Sequence, residues 1–164
     1  MIYIYTDGSS KGNPGPGGFG VVVLDNDTIK YSYREQDENT TNNREELKAI
    51  LHAFNLAQTM FKEEDCIICT DSSYCCNICN DWIFSWAKNN WKNSKKKTVE
   101  NLDLVQQLYN YLTIDFFNCQ IIRVLGHQGN IGNELADALA TLNNRKYEKI
   151  IRKNELSLDF SIKI

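Results

Sequence analysis

The segment Gly8 to Gly18 constrains this chain more than any other. It places both prolines, Pro14 and Pro16, among closely spaced glycines. Proline lacks the donor that a helix interior needs and glycine favours turns, so the segment reads as a loop. Residues 2–7 lead into it and Phe19 to Leu24 lead out, both with the pattern of strands. Asp25-Asn26-Asp27 is a turn signal, and Thr28 to Arg34 alternates as a third strand. Two short connections in succession predict an antiparallel meander.

Beyond the meander the periodicity changes. Leu47, Ile50, Leu51, Phe54, Ala57 and Phe61 form one apolar stripe, which predicts a helix over about 43–61. Asp65 to Asp71 reads as a fourth strand and Gln120 to Leu125 as a fifth. Helices are expected at 72–88, 99–112 and 132–144. Residues 147–164 are charged and then alternate, as a helix with an edge strand or a loose tail would. The expected fold is an α/β domain with a mixed sheet of five strands.

The chain has 164 residues, the size of one domain. No apolar run is long enough for a membrane span and the N-terminus lacks a signal-peptide pattern, so a cytoplasmic protein away from membranes is expected. The net charge of -3 disfavours a nucleic-acid partner on average. Yet Lys88, Lys92, Lys95, Lys96 and Lys97 crowd one segment, and such a patch suits phosphates. Cys66-Ile67-Ile68-Cys69 and Cys76-Asn77-Ile78-Cys79 look like metal knuckles. On a strand, however, residues three apart face opposite ways, so Cys66 and Cys69 cannot share an ion. Free thiols are expected.

Asp7 and Asp71 each end a strand after a threonine. If the two strands are parallel neighbours, their carboxylates meet at one rim, where ligands of α/β sheets gather. Paired carboxylates repel unless a cation sits between them, and hard oxygen ligands suit magnesium or manganese. The competing reading is that Asp ends strands because it favours turns. On the helical wheel Glu46 borders the apolar stripe, whereas Glu45 and His52 point outward to water. Asp137 lies opposite its own leucine stripe, so periodicity alone leaves it solvated. His127 follows a strand in Leu125-Gly126-His127-Gln128-Gly129, where an imidazole could move a proton or simply lie at the surface.

These residues together resemble the ribonuclease H type 1 family over nearly the whole chain. Tyr5-Thr6-Asp7-Gly8-Ser9 running on to Gly12-Asn13-Pro14-Gly15-Pro16-Gly17-Gly18 is similar to its opening signature. Thr40-Thr41-Asn42-Asn43-Arg44-Glu45-Glu46-Leu47, Thr70-Asp71-Ser72-Ser73-Tyr74 and Gly132-Asn133-Glu134-Leu135-Ala136-Asp137 follow in the family's order. The resemblance implies an endonuclease, acting as a monomer, that hydrolyses the RNA strand of RNA–DNA hybrids to 5′-phosphate and 3′-hydroxyl ends. It implies two Mg2+ ions, with Mn2+ as a substitute, held by Asp7, Glu46, Asp71 and Asp137. Asp71 would bridge them, and His127 would assist on a loop.

The resemblance also assigns the substrate surface. Ser10, Asn13, Asn42, Asn43 and Ser73 match positions that line the groove, and Thr41 resembles a contact to a DNA phosphate. At Ser73 the best-known bacterial members carry a longer amide. Trp82, Trp86, Lys88, Trp91 and Lys92 are similar to the family's basic protrusion, about 82–98, although Ala87 stands where a lysine is common. Residues 1–145 would form the catalytic domain and 146–164 an extension. Two other functions fit parts of the pattern: a catalytically weak hybrid-binding module on this fold, and an integrase-like or Holliday-junction nuclease. The latter lack the glycine-rich signature and the tryptophan–lysine segment. An initiating Met1 shortly before that signature favours a stand-alone protein over a piece of a reverse-transcriptase polyprotein.

Overall fold

The computed structural model describes residues 1–114, 119–126 and 129–159. Its elements run β1 (Ile2–Ser10), β2 (Gly15–Asp25), β3 (Thr28–Thr40), α1 (Asn42–Gln58), β4 (Cys66–Thr70) and α2 (Ser73–Asn77). A π-helical turn (Ile78–Trp82) then leads into α3 (Ile83–Lys88), α4 (Leu102–Leu112), β5 (Cys119–Arg123), α5 (Ile131–Ala140), α6 (Asn144–Lys153) and β6 (Ser157–Leu158). The sheet order is β5-β4-β1-β2-β3-β6. Strands β1, β2 and β3 form the expected antiparallel meander, while β4 and β5 join parallel to β1 and β4.

Among the described residues the sheet has six strands rather than five. The sixth, β6, pairs with Thr28 and Ile29 of β3. The meander also extends further than its alternation indicated. Ser10 pairs with Gly17 and Gly15 with Thr40, so part of the glycine-rich segment is strand. Glycine lowers strand propensity, but pairing on both sides overrides it here.

Both faces of the sheet are covered. Phe19, Val21 and Val23 of β2 face one core, which holds Leu47, Ile50 and Phe54 of α1 and Val105 and Leu108 of α4. Val22 and Leu24 face the other, with Leu135 and Leu139 of α5 and Ile150 of α6. A strand buried on both sides reads as a continuous apolar run, and Val21-Val22-Val23-Leu24 is one. Arg44 locks the start of α1 to α4 with a two-pronged bond to Asp103, at 3.0 and 2.8 Å. All six cysteines are free. Burial pushes the Cys66 thiol to about 11 and that of Cys79 to about 12, so both stay protonated near neutrality.

Two wheel-based expectations fail on α1 for one reason. Long side chains of β3, which runs on to Thr40, reach across to a second flank of the helix: Asp37 bonds to Lys48, and Tyr31 and Tyr33 meet His52. Glu45 is therefore buried rather than solvated, with Lys48 Nζ 3.5 Å from its carboxylate and 2.6 Å from Asp37 on β3. His52 is half-buried rather than solvated. Its ring stacks on Tyr33 at 4.3 Å between centroids, and Nε2 lies 2.7 Å from the Tyr31 hydroxyl. Burial lowers the His52 pKa. Below the ordinary histidine range the unfolded chain then binds more protons than the folded one, so stability falls as pH drops. Replacing His52 by Gln is expected to flatten the dependence of Tm on pH between about 7 and 5. Parallel slopes for the variant and the wild type would reject this.

Candidate active site

The carboxylates meet because of strand register. Along β1 and β4 the parallel pairing runs from Ile2–Cys66 to Tyr5–Cys69. Continued two residues further, it sets Asp7 beside Asp71. Thr6 strengthens the junction by donating its hydroxyl to the Cys69 carbonyl at 3.3 Å. Helix α1 supplies Glu46 from above. Oxygen atoms of Asp7, Glu46 and Asp71 all lie within 4.8 Å of one another, and this is the one grouping of metal-ligand residues among those described. Asp7 and Glu46 are buried and Asp71 is partly exposed.

Helix α1 comes this close because residue 8 is glycine. A Cβ there would collide with the backbone at Glu45 and Glu46. The neighbouring Asp7 carboxyl, Gly8 amide and Thr70 side chain tend to lower the Glu46 pKa. Burial outweighs them, and the net shift of Glu46 is upward. Burial, the charge of Glu46 and hydrogen bonding to it, the charge of Asp71 and a hydrogen bond with Asp137 hold the Asp7 carboxyl far above the usual range. Desolvated like charges produce this shift, and a bound cation would reverse it.

Asp137 lines the same cavity, which Gly8, Asn43, Ser73 and Tyr74 also border. Its leucine stripe put it toward water. Helix α5 lies against β1 and β2, however, so the flank bearing Asp137 overhangs the end of β1. Its Oδ2 accepts from Lys146 Nζ on α6 at 2.8 Å. That lysine escaped the sequence reading, since a break between helices removes any periodic relation between the two positions. Residue 126 also lies against the site: a Cβ on Gly126 would fall 2.7 Å from Asp71 Oδ2. His127, the next residue, lies outside the described residues.

Three of the expected groove residues, Ser10, Asn13 and Asn42, form one hydrogen-bonded unit. Asn42 Oδ1 accepts from the Ser10 amide at 2.6 Å, and Asn13 Oδ1 accepts from the Asn42 amide at 3.0 Å and the Ser10 hydroxyl at 2.9 Å. The first loop and the start of α1 are thus held as a single wall. Thr41 caps α1 by accepting from the Arg44 amide at 3.2 Å. Asn13, Thr41, Asn42 and Asn43 border a neighbouring cavity, and Ser73 begins α2 at the carboxylate rim.

Trp82 and Trp86 lie 5.9 Å apart and, with Lys92, line a separate groove. Lys88 and Lys92 are exposed. Trp91 turns away from them and meets Tyr109 edge-on at 5.3 Å, packed against the larger core. The span expected as one helix, 72–88, is instead interrupted by the π turn, where the Ile83 amide reaches back to the Ile78 carbonyl.

Carboxylates that converge beyond the strand ends of a mixed sheet define a site for hard divalent cations. The buried Glu46 Oε2 has no hydrogen-bond partner, as a ligand oxygen awaiting a cation should. Comparison with known proteins identifies the family. The RNase H family model matches residues 1–144. The ribonuclease H of Orientia tsutsugamushi is 42% identical over 159 residues, covering 97% of this chain and 91% of that protein. That of Francisella tularensis subsp. novicida is 42% identical over 152 residues, 93% of this chain and 94% of the relative. Among solved structures, LC9-RNase H1, described as a type 1 RNase H with the type 2 active-site motif, superimposes with a TM-score of 0.74. It is 26% identical and covers 96% of this chain and 86% of its own. The chain belongs to the RNase H family.

Proposed function

We propose that this chain is an endonuclease that hydrolyses the RNA strand of RNA–DNA hybrids with the help of two Mg2+ ions, for which Mn2+ can substitute. The observation that carries the reading is the meeting of Asp7, Glu46 and Asp71 within 4.8 Å, in a chain of the RNase H family. These three residues and Asp137 would hold the ions, with Asp71 shared between them. When bound, such ions supply a water of lowered pKa and stabilise the leaving oxygen.

The remaining work falls to the chain's own residues. Ser10, Asn13, Asn42, Asn43 and Ser73 present small polar groups to the wide minor groove, where 2′-hydroxyls distinguish RNA. Mutual hydrogen bonds fix Ser10, Asn13 and Asn42 before substrate arrives, which lowers the cost of ordering on binding. Thr41 meets a phosphate of the DNA strand. Trp82 and Trp86 offer faces for sugars to pack on, and Lys88 and Lys92 neutralise phosphates beside them. Trp91 braces that segment from the core side. His127 moves a proton or assists product release, leaving 5′-phosphate and 3′-hydroxyl ends. Residues 1–145 act as the catalytic unit, a monomer, with 146–164 as its extension. Among the described residues no helix is long and apolar enough to cross a membrane.

The test is cleavage of a labelled hybrid with Mg2+, with and without EDTA, by wild type and Asp71→Asn. Single-stranded RNA and duplex DNA serve as controls. Hybrid-specific cutting that EDTA stops and Asp71→Asn abolishes is the expected result. Tight hybrid binding without cutting in Mg2+ or Mn2+ would mean a binding module instead.

A further inference from the structure

Lys146 lies beyond the segment that the family model matches, which ends at residue 144. Its Nζ nevertheless sits 2.8 Å from Oδ2 of Asp137, and only 28% and 22% of the two side chains are exposed. The helix that carries it is firmly placed. Asn143 caps α6 by accepting from the Lys146 amide at 3.0 Å, and Arg34 on β3 donates to Asn144 at 2.6 Å. Tyr147, Ile150 and Ile151 pack with Leu135 and Leu139 of α5. Lys146 occupies the rim of that buried face, directed at the carboxylate. A cation so placed is screened by water less than one in a fully exposed pair.

We propose that Lys146 is a built-in counter-ion of Asp137. It holds this carboxylate beside the cluster in the metal-free protein and yields it to a divalent cation. The proposal rests on the two-metal reading above. It makes the two cation positions unequal: the one at Asp7, Glu46 and Asp71 loads first, and the one that uses Asp137 loads second and more weakly. Two features favour an exchange of cations over a permanent pair. An ammonium on a four-carbon stem is a compact, strongly hydrated charge that can swing into water. Its partial exposure leaves water within reach. Lys146 acts through Asp137 and is therefore a positioning residue.

Calorimetric titration of Mg2+ into the substrate-free protein tests this, using wild type, Lys146→Met, Lys146→Gln and Lys146→Arg. Wild type should show two steps. Lys146→Met and Lys146→Gln remove the charge and should tighten the second step roughly fivefold while leaving the first in place. Lys146→Arg should restore the wild-type curve, which a packing role alone would not produce. A single step in wild type, an unchanged second step in both neutral variants, or an equal shift of both steps would overturn the proposal. Hybrid cleavage is scored separately. Loss of cutting by a wild type that binds Mg2+ in two such steps counts against the proposed function and leaves the role of Lys146 standing.

Discussion

Asp7→Asn is expected to make the metal-free protein more stable while abolishing its cleavage of hybrid. Asp7 is buried against Glu46, Asp71 and Asp137. Folding concentrates these acids at a cost, because a desolvated carboxylate disfavours its charge and its neighbours add repulsion. An amide of the same shape is neutral without taking up a proton, and we expect a gain of about 2 kcal/mol and a rise in Tm of about 5 °C without metal. Cleavage in Mg2+ should fall roughly a thousandfold, the consequence of losing about 4 kcal/mol of transition-state stabilisation. Asp7 and Glu46 are both raised in the folded state. Folded protein therefore binds more protons than unfolded protein above the ordinary carboxylate range, and metal-free stability falls as pH rises through that window. Added Mg2+ should flatten the fall, and Asp7→Asn should reduce it. Thermal melts across pH, with and without Mg2+, measure both. A variant no more stable than wild type would show that the cluster is not strained.

Gly8→Ala is expected to damage fold and site together. The added methyl would meet the backbone of Glu45 and Glu46, which cannot turn aside as a side-chain tip can. Helix α1 must then retreat from β1. The cost in stability should be about 3 kcal/mol, typical of overpacking where nothing yields. The retreat also carries Glu46 away from Asp7 and Asp71. A displacement of about 1 Å at a reacting centre costs about a hundredfold in rate, so cutting by the folded fraction should fall by that order. Denaturant melts and rates corrected for folded protein separate the two effects. An Ala variant with normal activity per folded molecule would show that the close approach of α1 serves packing alone.

How far this site could be seen in advance depended on which forces placed each residue. Asp7 and Asp71 were legible because alternation marks strand ends, and parallel pairing brings equivalent ends together. Glu46 was legible on the wheel of α1. Asp137 was not, since its placement depends on where α5 crosses the sheet, and only the resemblance to a known family singled it out. Glu45 and His52 were misplaced by the same wheel. It measures a helix against one covered face, and side chains of β3 reach a second. Lys146 left no local trace, because a contact across a helix break belongs to tertiary packing.

The π turn at 78–82 was equally invisible, yet it decides where Trp86 points. Such a turn contains one residue more than the α-helix would. Each residue adds about 100° of rotation. Everything after the turn is therefore out of phase, by about that angle, with the uninterrupted helix. Trp86, four residues beyond Trp82, owes its bearing on their shared groove to this offset as much as to its own identity. Length variation of a single residue here would act as a rotation of the surface rather than a change of reach. It would re-aim the Trp86 ring relative to Trp82 without altering either tryptophan.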